Sequence, residues 1–260
     1  MNVNSWLKKA KTKIAAIDAE LIALMMLEEK DRTQLVLRGE QEIPKRAQQV
    51  MDGMVDARER GLPLAYILGE KEFYGRSFKV NAHVLIPRPE SEVLIEVAKG
   101  LKPQPRTILD MGTGSGCLAV TLALETKARV TAADISPLAL RVAAINAVEL
   151  GARIEIVQSD LMSNLGEEKF DLIVANLPYV DVHWDWCGAE LRYEPGIALY
   201  AGDGGLELVK KLIKQVKGRC KKLLLEIDPS QRTRLMRFAR RHGFKRVKTE
   251  GFALLLEAEP

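Results

Sequence analysis

Cysteine is scarce in this 260-residue sequence: Cys117, Cys187 and Cys220 are scattered and have no CxxC spacing. Three such thiols build neither a disulfide framework nor a zinc site, and they fit a reducing compartment. Histidine is as rare. His83, His183 and His242 have no carboxylate or cysteine at ligand spacing, so no metal site is expected. Long apolar runs are missing as well. The stretches at 223–225 and 253–256 fall far short of the roughly 20 residues that span a bilayer, and Lys8, Lys9, Lys11 and Lys13 precede no signal-peptide core. A soluble, cytoplasmic protein with no membrane partner is the expectation. Repeats and low-complexity tracts are also lacking. What remains is a globular composition, 47% hydrophobic and 28% charged, enough for one large domain or a domain with a small companion. Disorder, collagen and coiled coil are excluded.

The formal charge of +4 is unevenly spread. Residues 81–210 hold 11 basic and 18 acidic side chains, whereas 211–248 hold 14 and 2. The basic block reads either as a footprint for RNA or an acidic partner, or as the solvated face of the last helices.

From Ser5 to about Lys30, and again from Pro44 to Arg60, apolar residues recur at helical spacing, which predicts a small N-terminal helical bundle over 1–65. A breaker at Gly61-Leu-Pro63 and two short strands turning at Gly75-Arg76 predict a linker hairpin over 66–90. A catalytic domain over 91–260 then alternates strand and helix. Strands are expected at 107–110, 129–133, 153–158, 170–175, 221–227, 244–249 and 252–257, with helices at 91–99, 116–126, 137–150, 203–217 and 230–242. This rhythm means an α/β fold, a parallel sheet covered on both faces, with a terminal antiparallel hairpin because the last two strands are too close for a crossover.

The first sheet strand runs into Asp110-Met-Gly112-Thr113-Gly114-Ser115-Gly116. Alternate glycines at a strand-to-helix junction let the backbone turn tightly and approach a ligand, though a tight turn alone would use them too. Asp134 ends the next strand, where a carboxylate can hold a ribose diol or cap the helix after Ser136. Asp160 ends the third, within reach of an adenine amino group or as another cap. The fourth strand delivers Asn176-Leu177-Pro178-Tyr179. A carboxamide oxygen and the next carbonyl can each accept one hydrogen of a planar NH2 group and aim its lone pair at an electrophile, while the aromatic ring packs on the flat substrate.

A glycine-rich first loop, an acid after the second strand and an Asn-x-Pro-Tyr after the fourth resemble the amino-methylating branch of the class I S-adenosylmethionine-dependent (Rossmann-like) methyltransferases. Pro63-Leu-Ala-Tyr-Ile-Leu-Gly69, Glu72-Phe-Tyr-Gly75, Val84-Leu-Ile-Pro-Arg-Pro-Glu90, Tyr193-Glu-Pro195 and Asp203-Gly-Gly-Leu206 are similar to the HemK/PrmC family over nearly the whole chain. That resemblance implies methylation of the glutamine of the Gly-Gly-Gln motif in peptide chain release factors, which are then the partners, with S-adenosylhomocysteine as product. It implies that Gly112, Thr113, Gly114, Ser115 and Gly116 wrap the methionine and ribose of the cofactor, that Asp134 holds the ribose hydroxyls and that Asp160 and Leu161 border the adenine. Asn176 and the Leu177 carbonyl would grip the substrate amide, beside the cofactor, with Pro178 and Tyr179 completing the catalytic and substrate pocket. Arg88 and Glu90 would form a lid over the cofactor or anchor the helix that follows; the bundle would recognise the substrate. A monomer that needs no nucleic acid is expected.

Two departures stand out. The family usually reads Asn-Pro-Pro-Tyr, and Leu177 removes one rigidifying ring. Leu161 stands where an aromatic often flanks the adenine. The Asn-Leu-Pro-Tyr spelling also resembles adenine methyltransferases acting on a flipped base, and a non-catalytic cofactor-binding protein is the third alternative. Cys117, at a helix start, is either a thiol of lowered pKa or simple packing, and Trp184 and Trp186 either dock a partner or pin the loop. The acidity of 81–210 suits a neutral amide and a cationic sulfonium better than phosphate.

Overall fold

The structure, a computed structural model, describes residues 1–29, 31–181, 183, 184, 188 and 190–259. The chain forms two compact units, Met1–Glu70 with Gly188–Tyr193, and Lys71–Cys187 with Glu194–Pro260.

In the smaller unit, helices run over Val3–Ala10, Ala16–Met26, Arg32–Leu37, Lys45–Glu59 and Leu64–Leu68. The periodicity read from Ser5 onward is shared between two helices, and its end at Lys30 lies outside the described residues. The break has a local cause: the Thr12 hydroxyl donates back to the Lys9 carbonyl at 2.7 Å, and Ala15 is extended at ψ 141°. Asn2 caps the first helix by accepting from the Ser5 N–H. Trp6, Ile22 and Met51 are buried at the centre, each contributing about 1.5–3 kcal/mol. The Trp6 indole N–H donates to Asp52 at 2.9 Å, so the large ring is buried without an unmet donor.

The larger unit opens with a hairpin, β1 (Glu70–Phe73) and β2 (Arg76–Lys79). It turns at Tyr74-Gly75, both with positive φ, rather than at Gly75-Arg76, because that pair of left-handed residues matches the twist of a two-residue hairpin. The main strands are β3 (Thr107–Met111), β4 (Arg129–Asp134), β5 (Ile154–Gln158), β6 (Phe170–Ala175), β7 (Cys220–Glu226), β8 (Phe244–Glu250) and β9 (Ala253–Ala258). They lie in the order β5-β4-β3-β6-β7-β9-β8. β3 to β7 are mutually parallel and β9 runs antiparallel to both neighbours, the α/β sheet with a terminal hairpin that the strand spacing predicts.

The inner strands β3, β4, β6, β7 and β9 are buried on both faces, which explains their apolar character, whereas β5 and β8 at the two edges are largely exposed. Leu109, Ile173, Leu223, Leu225, Leu254 and Leu256 face one layer, under helices carrying Leu212 and Leu235. Their alternate neighbours Ile108, Leu172, Val174, Leu224 and Leu255 face the other, under Ile95 and Leu122. One expected helix is shorter than read. The segment expected over 203–217 becomes regular only at Glu207–Gln215, since Asp203 and Gly204 take left-handed conformations. Strand order reverses between β3 and β6, the place where open α/β sheets bind ligands.

Candidate active site

The register aligns Met111 of β3 with Ala133 of β4 and Ala175 of β6. The glycine loop, Asp134 and Asn176, spread over 65 positions of sequence, therefore leave the sheet side by side. β5 adds Ser159 and Asp160 at the same edge, because Gln158 pairs with Asp134. Gly112, Gly114, Asp134, Asp160, Leu161, Asn176, Leu177 and Pro178 line one cleft of about 780 Å3, counting its open mouth.

Thr113, Ser115, Gly116 and Tyr179 are not on this wall; they support it. Asp110 is fully buried, and its Oδ2 accepts from the Thr113 hydroxyl at 2.6 Å and the Ala119 N–H at 3.1 Å. Burial raises its carboxyl to about 7 against those two hydrogen bonds, with Asp134 adding to the rise. Asn146 donates to the Ser115 carbonyl at 2.8 Å, and Gly116 packs against Ala143 of the Pro137–Glu149 helix. Gly112 is confined from the other side, since a Cβ there would stand 2.8 Å from Leu177 Cδ2. Gly114 faces open space, with no atom within 4 Å of where a Cβ would be.

Asp134 lines the cleft and is not the cap of the following helix. Its oxygens accept from the Gly114 N–H and the Ser136 N–H, each at 2.9 Å, while Ser136 itself caps the helix by accepting from Ala139. Burial raises its pKa, opposed by those backbone donors. Each oxygen keeps capacity for a further hydrogen bond, and the residue lines the cleft. Asp160 is exposed on the cleft rim, and Leu161 is buried with φ +47°, a left-handed main chain held by Ser159, whose hydroxyl donates to the Leu161 carbonyl at 2.6 Å.

At the β6 exit the Asn176 Nδ2 donates to the Ser91 hydroxyl at 3.0 Å. Among the described residues its Oδ1 and the Leu177 carbonyl accept no hydrogen bond, and both residues line the cleft. Tyr179 turns its phenol away, donating to Glu226 Oε1 at 3.1 Å; burial first, then Glu226, pushes its pKa well up, and it stays protonated. Its carbonyl accepts from Gln231 Nε2 at 2.7 Å, which also donates to the Gly204 carbonyl at 2.8 Å.

Three comparisons with known proteins bear on this arrangement. Residues 3–69 match the family model described as the PrmC N-terminal domain, and residues 89–186 match the methyltransferase small domain. A release factor glutamine methyltransferase from Neisseria gonorrhoeae is 39% identical over 95% of this chain and 92% of its own length. Another, from Koribacter versatilis, is 42% identical over 81% of this chain and 77% of its own. The chain belongs to the release factor glutamine methyltransferase family. Among solved structures, a ribosomal protein L11 methylase from Lactobacillus delbrueckii shares the fold, with a TM-score of 0.53 at 20% identity over 73% of this chain and 90% of that one.

Membership in this S-adenosylmethionine-dependent family can be tested against the residues themselves. The cleft fits the cofactor: a glycine with space before it, an acid with lone pairs free at the second strand, and acidic rather than basic groups for a cationic sulfonium.

Other expected features resolve individually. Arg88 forms an ion pair with Glu194, whose other oxygen accepts from the Ile86 N–H at 3.0 Å. The Pro-Arg-Pro-Glu stretch is thereby tied down, and His83, Val84 and Leu85 before it border the cleft. Burial raises the Cys117 thiol to about 12, so the lowered-pKa alternative fails and packing stands. The Trp184 backbone N–H donates to the Asp181 carbonyl at 3.0 Å, while Trp186 and Cys187 lie outside the described residues. Among the described residues no metal-binding cluster and no helix long and apolar enough to cross a membrane is present. The basic block is partly offset by ion pairs, Lys222 and Lys245 sharing Glu257 and Lys248 meeting Glu250.

Sequence reading missed Ser91, Glu226 and Gln231, the groups that hold the Asn176–Tyr179 turn from behind. One signal was available: Glu226 is an acid closing the apolar run Leu223-Leu-Leu225.

Proposed function

We propose that this protein transfers the methyl group of S-adenosylmethionine to the side-chain amide nitrogen of the glutamine in the Gly-Gly-Gln motif of peptide chain release factors. The observation carrying this reading is the Asn176 carboxamide. With its NH2 donating to Ser91, its Oδ1 and the Leu177 carbonyl remain open acceptors on two consecutive residues that line the cleft. When bound, the cofactor supplies an electrophilic methyl on a sulfonium. Asn176 and the Leu177 carbonyl draw both N–H groups of the substrate amide, loosening its resonance and aiming its lone pair; Pro178 and Tyr179 fix the turn. No general base is required before transfer, since the product nitrogen loses its proton afterwards.

Gly112 and Gly114 face the methionine and ribose on a loop braced from behind by Thr113, Ser115 and Gly116, Asp134 takes the ribose hydroxyls, and Asp160 with Leu161 borders the adenine. The helical bundle over 1–65 recognises the release factor, 66–90 links it to the catalytic domain over 91–260, and the enzyme works as a cytoplasmic monomer without nucleic acid or membrane. In the deciding experiment, labelled methyl transfer to a release factor is followed for Asn176→Ala. Transfer falls at least about 100-fold, roughly 3 kcal/mol, at unchanged cofactor affinity. Near-wild-type turnover by that variant, or label appearing on RNA instead of the protein, defeats the proposal.

A further inference from the structure

Glu226 closes β7 next to β6, where Leu225 pairs with Ala175, so its carboxylate stands behind the Asn176–Tyr179 turn. It is 1% exposed. Two other buried carboxylates are neutralised by arginine, Asp18 by Arg58 and Glu194 by Arg88. Glu226 has no such cation among the described residues. Its Oε1 accepts from Tyr179, and its Oε2 is buried without a hydrogen-bond partner. A buried carboxylate in that condition is a burden to stability, and such atoms call for a reason.

Ser91 supplies it. This 2%-exposed residue just precedes the Glu92–Gly100 helix, and its Oγ accepts from Asn176 Nδ2. Its own O–H is still available, and Oε2 is the unmet acceptor close by. Burial pushes the Glu226 carboxyl up, whereas Ser91, Tyr179 and Asn176 pull it down and Glu90 pushes further up.

We infer that Glu226 is a positioning residue for methyl transfer, acting through a relay in which Asn176 donates to Ser91 and Ser91 donates to the Glu226 carboxylate, while Tyr179 ties the far end of the turn to the same group. The inference rests on the proposed role of Asn176 as an acceptor for the substrate amide. The relay does three things. It fixes the Asn176 carboxamide with nitrogen inward and oxygen toward the cleft. Because hydrogen bonds in a chain polarise one another, donation toward an anion enriches Asn176 Oδ1 as an acceptor just where the methylated nitrogen gains positive charge. It also secures both ends of a turn in which Leu177 leaves out one of the family's proline rings.

The test compares Glu226→Gln, which keeps an acceptor for Tyr179 but removes the charge, with Ser91→Ala, which cuts the relay and leaves Glu226 untouched. Methylation of a release factor, cofactor Kd by calorimetry and the side-chain 15NH2 resonances of Asn176 are measured, with Asn176→Ala alongside. Each single variant lowers kcat roughly tenfold, less than the ~100-fold of a group that touches the reacting atoms. Cofactor Kd and release factor KM stay within about twofold, the Asn176 resonances shift, and the double variant is no slower than the slower single, because both act through one chain. Wild-type kcat in either variant, multiplying losses in the double, or a loss confined to cofactor affinity overturns the relay. If Asn176→Ala itself keeps its turnover, the assignment of Asn176 has failed, and the relay falls with it.

Discussion

Gly114→Ala separates binding from folding at the cofactor cleft. Gly114 sits at φ +53°, a conformation that costs a residue with a Cβ about 1–2 kcal/mol. No atom lies within 4 Å of the added methyl, so strain is the whole effect on the free protein. For a unit of this size that lowers Tm by about 2–8 °C. The same strain is present with and without ligand and so cancels in the binding constant. What does not cancel is the methyl itself, added on a residue that lines the cleft proposed for the cofactor; overpacking of this kind is worth about 1–3 kcal/mol, or roughly 5–150-fold in Kd. Calorimetric titration with S-adenosylmethionine and a thermal melt read the two quantities separately. Gly112→Ala is the contrasting variant: its Cβ meets Leu177 Cδ2 at 2.8 Å, so it loses more stability than Gly114→Ala. A Gly114→Ala protein with lowered Tm but a Kd within threefold of wild type would mean that the loop does not face the ligand, and the assigned cleft would be wrong.

Two further outcomes follow from the supports of the site. Asp110, ordinarily near 3.9, titrates at about 7 when folded, so between about pH 4 and 7 the native protein holds a proton that the unfolded chain has lost. This contribution is full below about pH 4 and is lost as pH rises through 7; urea midpoints across that window fall accordingly, and Asp110→Asn flattens the slope. An unchanged slope in that variant removes Asp110 as its source. Gly205→Ala would place a Cβ 1.9 Å from the Tyr179 carbonyl oxygen, forcing the turn to move. A displacement near 1 Å costs about 100-fold in turnover, with cofactor Kd little changed, and equal loss of both in kinetic and binding assays would contradict it.

Much of this was legible because it is local. Apolar runs such as 172–175 and 223–225 mark strands buried on two faces, and the glycines at 112, 114 and 116 sit where a strand must hand over to a helix. Asn176 and Pro178 could be read in the same way, since turn chemistry and candidate chemistry coincide. The supports could not. Ser91 meets Asn176 across 85 positions and Gln231 meets Tyr179 across 52, pairings that exist only once the sheet order is set. The helix start at Glu207 was misplaced because left-handed Asp203 carries no β-turn signature of its own; it is held there by Lys210, at 2.5 Å, and Arg234. Tyr74 was misplaced by one residue because a bulky aromatic rarely takes a positive φ.

Gln231 puts the chemistry in perspective. Its NH2 group gives both hydrogens to carbonyl oxygens, those of Tyr179 and Gly204, and it is 5% exposed. The chain thus carries, a few ångströms of backbone away from its own turn, a glutamine amide held by two acceptors in the manner proposed for the substrate. That internal glutamine serves as a strut. Its nitrogen faces packed protein, outside the cleft proposed for the methyl donor. Two-handed capture of an amide is therefore a structural commonplace within this one molecule, and what separates a strut from a substrate is the direction in which the nitrogen lone pair finds an electrophile.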